Sequence, residues 1–290
     1  MKIKPIKTIE YSICLVIHLF ILSGCSSTMN LEKEWKSLEK SYKKEGISMK
    51  VNHVEENSIM INYLSVKASE ETNLTFVFIH GAPGRANDFS KYLQHPQLRE
   101  RANILSIERL GYGSNHGVEE DSIAIQAEAI EAVLQDWDRV SHQKQEYILI
   151  GHSYGGPIAA YSTLVSKCTI KYLILLAPAM SADLEPMKWY SRWAQAKIIY
   201  KILPTSFQVA TDEKANHKKA LKLVEEEWKL VKVPSMIVHG KKDGIVPFEN
   251  MKFVRQNWEA PLDSLILEDK GHIFPFTDSD IVVDLLLDKS

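Results

Sequence analysis

Cysteine is scarce in this sequence, and neither sign of charge is in large excess. Three cysteines stand in 290 residues, at Cys14, Cys25 and Cys168, which excludes a small scaffold stapled by several disulfides. The formal net charge is −2 and no basic stripe is visible, so we expect no nucleic-acid partner. Hydrophobic residues make up 45% of the chain, which is enough for one large domain with a full core.

No apolar run is long enough to span a bilayer. The stretch Tyr11–Leu22 follows three lysines and has the pattern of a secretory signal peptide over residues 1–24. It ends in Leu22-Ser23-Gly24-Cys25, which resembles the lipobox of bacterial lipoproteins. The resemblance implies lipidation of the Cys25 sulfur and an exported protein anchored to a membrane of the cell envelope. A cleaved soluble protein and an uncleaved anchor are the alternatives.

A charged amphipathic segment, residues 25–46, comes next. Leu31, Trp35, Leu38 and Tyr42 recur at helical spacing among lysines and glutamates, which predicts a helix that ends near Gly46. The apolar face of this helix would pack either on the following domain or against lipid.

Strands alternate with helices over residues 47–290. The predicted strands are a hairpin over 47–66 with its turn at 56–58, then 74–79, 103–107, the stretch before Gly151, 171–176, 236–239 and 262–267. Helices are predicted between them, including one over about 86–100. This alternation predicts an α/β fold with a mostly parallel, doubly wound sheet. Between about 180 and 233 the rhythm breaks, and we interpret this segment as a small helical cap inserted after the sixth strand.

The sequence Gly151-His152-Ser153-Tyr154-Gly155 joins a buried strand to a helix. A strand-to-helix turn this sharp strains the backbone of Ser153 and needs glycine on both sides, because a Cβ there would collide with the neighbouring strand or helix. The serine hydroxyl is then pushed clear of the backbone at the positive end of a helix. We interpret Ser153 as a nucleophile.

A serine nucleophile needs a base and a group that orients the base. His272 follows Gly271 in a loop directly after the last strand, at the edge where open parallel sheets bind ligands. Asp243 leaves the preceding strand at the same edge, between Gly240 and Gly244. His272 is therefore the predicted base and Asp243 the predicted acid, with Asp183 as the competing acid.

The remaining histidines are given other roles. His80 is expected to support the turn that it opens, and His239 to lie at a buried strand end. Five are expected to face solvent: His53, His95, His116, His142 and His217.

The order Ser153, Asp243, His272, together with the His-Gly loop at 80–84, resembles the α/β-hydrolase fold over about residues 47–290. The resemblance implies an oxyanion hole formed by the backbone N–H groups of Ala82 and Tyr154. The segment 108–114 is similar to a Gly-rich family loop, with Glu108 in place of the usual Asp. We expect that departure to be structural.

These features predict a serine hydrolase that cleaves a small-molecule carboxylic ester or related acyl bond, without a metal or cofactor. One alternative is a proline-type aminopeptidase of the same fold, in which an acidic cap residue such as Glu185 or Asp183 would hold the substrate amine. Another is a membrane-tethered binding protein without activity. Four cap aromatics would either wall an acyl pocket or pack the cap onto the sheet: Trp189, Tyr190, Trp193 and Trp228.

Overall fold

A computed structural model describes residues 28–115, 120–185 and 197–290. Several predicted features lie outside these ranges: the signal peptide, the lipidation site Cys25, His116, and the aromatics Trp189, Tyr190 and Trp193.

Within these ranges, eight strands form one sheet in the order β1-β2-β4-β3-β5-β6-β7-β8. The strands are β1 Met49–Glu56, β2 Ile59–Val66, β3 Leu74–Ile79, β4 Asn103–Ile107, β5 Glu146–His152, β6 Thr169–Leu176, β7 Ser235–Gly240 and β8 Leu262–Leu267. The pairs β1–β2 and β2–β4 are antiparallel and all other pairs are parallel. The prediction of a mostly parallel sheet is confirmed.

Helices cover both faces of the sheet. They are α1 Thr28–Lys44, α2 Ser90–Gln94, α3 Pro96–Arg101, α4 Ile123–Val140, α5 Gly155–Val165, α6 Lys197–Ile202, α7 Thr205–Val224, α8 Glu249–Gln256, α9 Phe274–Thr277 and α10 Ser279–Lys289. One apolar cluster joins α4, α5, α7 and α8 to the sheet, and a second joins α1, α2, α3 and α10 to the opposite face. None of the described helices is both long and apolar enough to cross a bilayer.

The prediction of a single helix over about 86–100 is wrong. The chain instead forms a short 3-10 turn at Ala86–Phe89, then α2, then α3. The break is at His95, whose backbone is extended with φ −67° and ψ 119° because it precedes Pro96. Pro96 then begins α3, where its missing N–H removes no helical hydrogen bond.

Helix α1 packs on the domain, which is one of the two positions considered for its apolar face. Trp35 and Tyr42 are buried in the second cluster. Glu34 makes a bidentate ion pair with Arg85, at 2.7 and 3.2 Å. The backbone N–H of Val51 donates to the carboxylate of Glu39 at 3.2 Å. Helix α1 is thereby attached both to the first strand and to the loop that follows β3.

The segment between β6 and β7 contains α6 and α7 with short 3-10 turns at Ala182–Leu184 and Glu225–Leu230. Trp228 is fully buried, and its indole N–H donates to the carbonyl of Met180 at 3.2 Å. Of the two roles considered for this tryptophan, packing onto the sheet is the one observed. Glu225 accepts the N–H of Ala182 at 2.9 Å, which joins the two 3-10 turns.

Candidate active site

The turn between β5 and α5 places Ser153 in the left-handed region, with φ 55°. A Cβ at Gly151 would lie 2.4 Å from the carbonyl oxygen of Gly155, and a Cβ at Gly155 would lie 2.4 Å from that of Ile79. Both contacts are too short for any side chain, so the sharp turn requires glycine at both positions. The expected strain at Ser153 and the need for both glycines are therefore present in the structure.

Three side chains from three separate loops form a hydrogen-bonded row. Ser153 Oγ lies 2.9 Å from His272 Nε2, and His272 Nδ1 lies 2.7 Å from Asp243 Oδ2. Ser153 and His272 are each 8% exposed, and the Asp243 side chain is buried. The structure thus brings together the predicted nucleophile, base and acid in the order that proton transfer from serine would need.

The carboxylate of Asp243 is held by its own turn. Its Oδ1 accepts the N–H groups of Ile245 and Val246, each at 2.8 Å. Burial alone would raise the pKa of Asp243, but hydrogen bonds from His239 and His272 outweigh it and hold the pKa well below its usual range. Asp243 is therefore a carboxylate, fixed in orientation and able to accept the Nδ1–H of His272.

His239 contacts the carboxylate of Asp243, which the sequence did not lead us to expect. It lies at the buried end of β7, as expected, but its Nε2 also lies 3.2 Å from Asp243 Oδ2. The same nitrogen lies 3.3 Å from the carbonyl oxygen of Val246, which makes it an N–H donor to both. The available signal was the four-residue spacing to Asp243 across a tight turn.

His152, inside the turn itself, does not compete as a base. Its Nε2 lies 3.1 Å from the carbonyl oxygen of His272 and so carries the donated proton. Burial, and then the neighbouring His272, lower the pKa of His152 to about 3. The ring stays neutral and packs 4.9 Å from the His272 ring, where it holds the His272 loop against the turn.

The loop after β3 lies against Ser153. A Cβ built on Gly81 would be 2.9 Å from the Cβ of Ser153. As expected, His80 supports this loop: its Nδ1 lies 2.8 Å from the Gly81 carbonyl oxygen, and its Nε2 accepts the N–H of Arg109 at 3.2 Å. Among the described residues, no protein acceptor takes the backbone N–H of Ala82 or of Tyr154. Within the described ranges, neither predicted oxyanion donor is therefore used in a hydrogen bond to the protein.

The competing acid Asp183 is elsewhere. Its side chain is 73% exposed and pairs with Lys218 and Lys222 at 3.5 and 3.6 Å. Glu185 is buried instead, in an ion pair with Lys214 and 3.2 Å from Nδ1 of His217.

The expectation that His217 faces solvent is wrong. His217 is 2% exposed, and its ring stacks on that of Tyr154 with centroids 4.2 Å apart. His217 lies on the side of α7 that packs against Tyr154. Its neighbours in sequence include charged residues, so no local pattern indicated this contact. His53 and His142 are exposed, as expected.

Glu108, which stands where the resembling family has Asp, is fully buried. Neither of its carboxylate oxygens makes a hydrogen bond of normal geometry within the described residues, and the nearest basic group is His80 Nε2 at 3.6 Å. A Cβ at Gly113 would lie 2.5 Å from the Glu108 carboxyl carbon, so the longer side chain fits against a bare glycine. Burial raises the pKa of Glu108 to about 7.

We expect this buried carboxyl to make the protein less stable as the pH rises. The pKa of Glu108 in the folded state lies above the ordinary value of 4.5, so the folded state binds this proton more tightly than the unfolded state does. The free energy of unfolding is therefore highest below pH 4.5, and it falls as the pH rises from 4.5 to about 7. The difference amounts to about 3 kcal/mol. Glu108→Gln should remove this loss, measured as the free energy of unfolding in urea at pH 5 and pH 8. Glu226→Gln, at an exposed position, is the control, and an unchanged pH dependence in Glu108→Gln would contradict the assignment.

Across the described ranges, no three His, Cys, Asp or Glu side chains are grouped so that they could hold a metal ion.

Comparison with known proteins places this chain in a family. A sequence model of the Alpha/beta hydrolase family matches residues 76–285. A probable 1-acylglycerol-3-phosphate O-acyltransferase of Oryza sativa is 30% identical over 115 residues, 38% of this chain and 27% of that protein. Protein phosphatase methylesterase 1 of Candida albicans is 28% identical over 153 residues, 52% of this chain and 41% of that protein. The chain thus aligns with less than half the length of either relative.

Among solved structures, a bacterial membrane phospholipase A has the same fold. It is 17% identical, with a TM-score of 0.65, and the superposition covers 97% of both chains. At this identity the likeness shows the fold alone.

Proposed function

Because this chain belongs to the α/β-hydrolase family, we propose that it is a serine hydrolase whose catalytic triad is Ser153, His272 and Asp243. Its substrate in this proposal is a carboxylic ester or a related acyl compound. The observation that carries the proposal is the row of contacts from Ser153 Oγ to His272 Nε2 at 2.9 Å and from His272 Nδ1 to Asp243 Oδ2 at 2.7 Å.

The proposed reaction is acyl transfer in two steps. His272 Nε2 takes the proton of Ser153 as the serine oxygen attacks the carbonyl carbon, and the oxyanion accepts the N–H groups of Ala82 and Tyr154. The C–O bond to the leaving alcohol breaks as His272 returns the proton to that oxygen. Water then attacks the acyl carbon as His272 takes its proton, and the bond from that carbon to Ser153 Oγ breaks as His272 returns the proton to Oγ, which releases the acid. The ionised Asp243 keeps the proton of the neutral imidazole on Nδ1 and stabilises the imidazolium that forms.

The names of the similar proteins agree with this reaction type. An O-acyltransferase, a methylesterase and a phospholipase A are named for acyl groups or for esters. A serine nucleophile supports the same conclusion, because it forms an acyl-enzyme with such substrates.

The aminopeptidase alternative receives no support from the described cap residues. Of the two carboxylates named for this role, Glu185 is paired with Lys214, and the exposed Asp183 is paired with Lys218 and Lys222. Each carboxylate already has a protein cation as its partner. A panel of p-nitrophenyl esters and aminoacyl naphthylamides should therefore show turnover of the esters.

Attachment to a membrane through a lipidated Cys25 is part of the proposal. The support for it is the sequence Leu22-Ser23-Gly24-Cys25 after an apolar stretch. The substrate side of the proposal does not depend on the anchor.

A fluorophosphonate probe tests both parts in one experiment. The probe reacts with activated serines, so we expect it to label the wild-type protein in the membrane fraction. Ser153→Ala should abolish the label. Cys25→Ser should keep the label but move it to the soluble fraction. Labelling of purified Ser153→Ala would refute the proposed nucleophile, and an unchanged membrane fraction for Cys25→Ser would refute lipid attachment at Cys25.

A further inference from the structure

The peptide unit between Gly81 and Ala82 is bound from its carbonyl side. The Gly81 oxygen accepts Arg109 Nη2–H at 3.0 Å and lies 2.8 Å from His80 Nδ1. A peptide unit is planar and trans, so its C=O and N–H point in opposite directions. Holding the oxygen therefore fixes the direction of the Ala82 N–H, which the proposed mechanism uses as an oxyanion donor.

Arg109 is itself held from the cap segment. Its guanidinium makes two hydrogen bonds to Glu213 of α7, at 2.8 and 3.1 Å, and both side chains are almost completely buried. Tyr112 donates its hydroxyl to the same carboxylate at 2.5 Å. The guanidinium also lies 4.8 Å from the ring centroid of Tyr154. One buried cation thus contacts the peptide unit that carries the Ala82 N–H, through the Gly81 oxygen, and the side chain of Tyr154.

We propose that Arg109 is a positioning residue for the oxyanion hole, and that Glu213 of α7 holds it in place. This inference rests on the proposed serine-hydrolase function. A charged donor on the Gly81 oxygen makes a stronger hydrogen bond than a neutral one and polarises the peptide. The Ala82 N–H becomes a better donor, and it gains most when negative charge develops on the substrate oxygen.

The competing explanation is that the Arg109–Glu213 pair only attaches α7 to the sheet. A buried ion pair alone is weak evidence for stability, since hydrophobic replacement of both partners is often neutral. The two explanations differ in what they predict for such a replacement. A merely structural pair would leave kcat intact in any folded variant, whereas a positioning role requires the cation at the Gly81 oxygen.

The decisive variant is therefore Arg109→Met/Glu213→Leu, which removes both charges together, so that neither charge is left buried alone; the Tyr112 hydroxyl loses its acceptor in this variant. We expect kcat for a p-nitrophenyl ester to fall about 10- to 100-fold, less than the loss of a whole oxyanion donor, with KM within about threefold. Tyr112→Phe is the matched control, because it removes one hydrogen bond to Glu213 but leaves the contact of Arg109 with Gly81. Its kcat should stay within about threefold of wild type.

A second readout does not depend on turnover. In protein labelled with ¹⁵N-alanine, the amide proton of Ala82 should move upfield in the double variant, because the charged donor on its peptide is gone, and stay in place in Tyr112→Phe. If the double variant does not fold, Arg109→Lys, which keeps the charge but not the planar fork, should give a smaller change of the same sign in both measurements.

A folded double variant with unchanged kcat, or with a change in KM alone, would overturn the inference, as would an unmoved Ala82 resonance. If wild-type protein shows no Ser153-dependent turnover, the proposed function fails, and the Ala82 resonance alone decides whether Arg109 polarises this peptide.

Discussion

Ser153→Ala and His272→Ala are each expected to lower kcat for ester hydrolysis by about 10⁶-fold. In the proposed mechanism Ser153 supplies the oxygen that forms the acyl bond, and His272, 2.9 Å away, takes its proton. Neither group has a function without the other, so Ser153→Ala/His272→Ala should be no slower than either single variant. The measurement is turnover of a p-nitrophenyl ester by purified protein whose folding is checked by circular dichroism.

His53→Ala is the control for this series, since His53 lies on the exposed outer part of β1 and should retain full activity. Losses that multiply in the double variant would show that the two side chains act independently. Pure Ser153→Ala with turnover within about tenfold of wild type would exclude Ser153 as the nucleophile.

Asp243→Asn is expected to lower kcat by about 10⁴-fold. The asparagine can still accept the N–H groups of Ile245 and Val246 through its carbonyl oxygen, so the turn should survive. Its NH₂ group would face His272 Nδ1 and favour the tautomer with the proton on Nε2, which cannot take a proton from serine. The negative charge that stabilises the imidazolium would also be lost.

Asp183→Asn is the matched control, because it makes the same chemical change in the loop after β6. Its exposed side chain contacts only Lys218 and Lys222 among the described ion pairs, so kcat should stay within about twofold of wild type. A large loss in Asp183→Asn with none in Asp243→Asn would transfer the role of the acid to Asp183.

Much of the fold, and the meeting of Ser153, His272 and Asp243, could be predicted because the sequence patterns that determine them are local. Glycines two residues before and after Ser153, between a buried strand and a helix, leave few conformations for that turn. Asp243 and His272 follow parallel strands directly, and parallel strands end at the same edge of the sheet, so their meeting follows from topology. The break at His95 was not predicted but could have been, since Pro96 disfavours a helical conformation for the residue before it.

The contacts of the cap segment could not be predicted in this way. Arg109 and Glu213 are separated by 104 positions, and Glu213 is one of 37 acidic residues in the chain. Its charge alone gives no preference for one arginine. His217 stands among lysines in sequence, and only the packing of α7 over Tyr154 buries it. Such pairs are selected by the approach of whole helices, which no local pattern records.

Helix α1 is packed on the domain although it precedes the first strand of the sheet. Trp35 and Tyr42 fill the apolar cluster on one face of the sheet, so a truncated chain that starts at β1 would expose that surface to water and tend to aggregate. Arg85, which directly follows the turn at 80–84, would at the same time lose its ion pair with Glu34. Truncation would therefore lower solubility and loosen the loop after β3. An expression boundary chosen from the family match at residue 76 would also remove two strands. The smallest unit for engineering therefore includes α1.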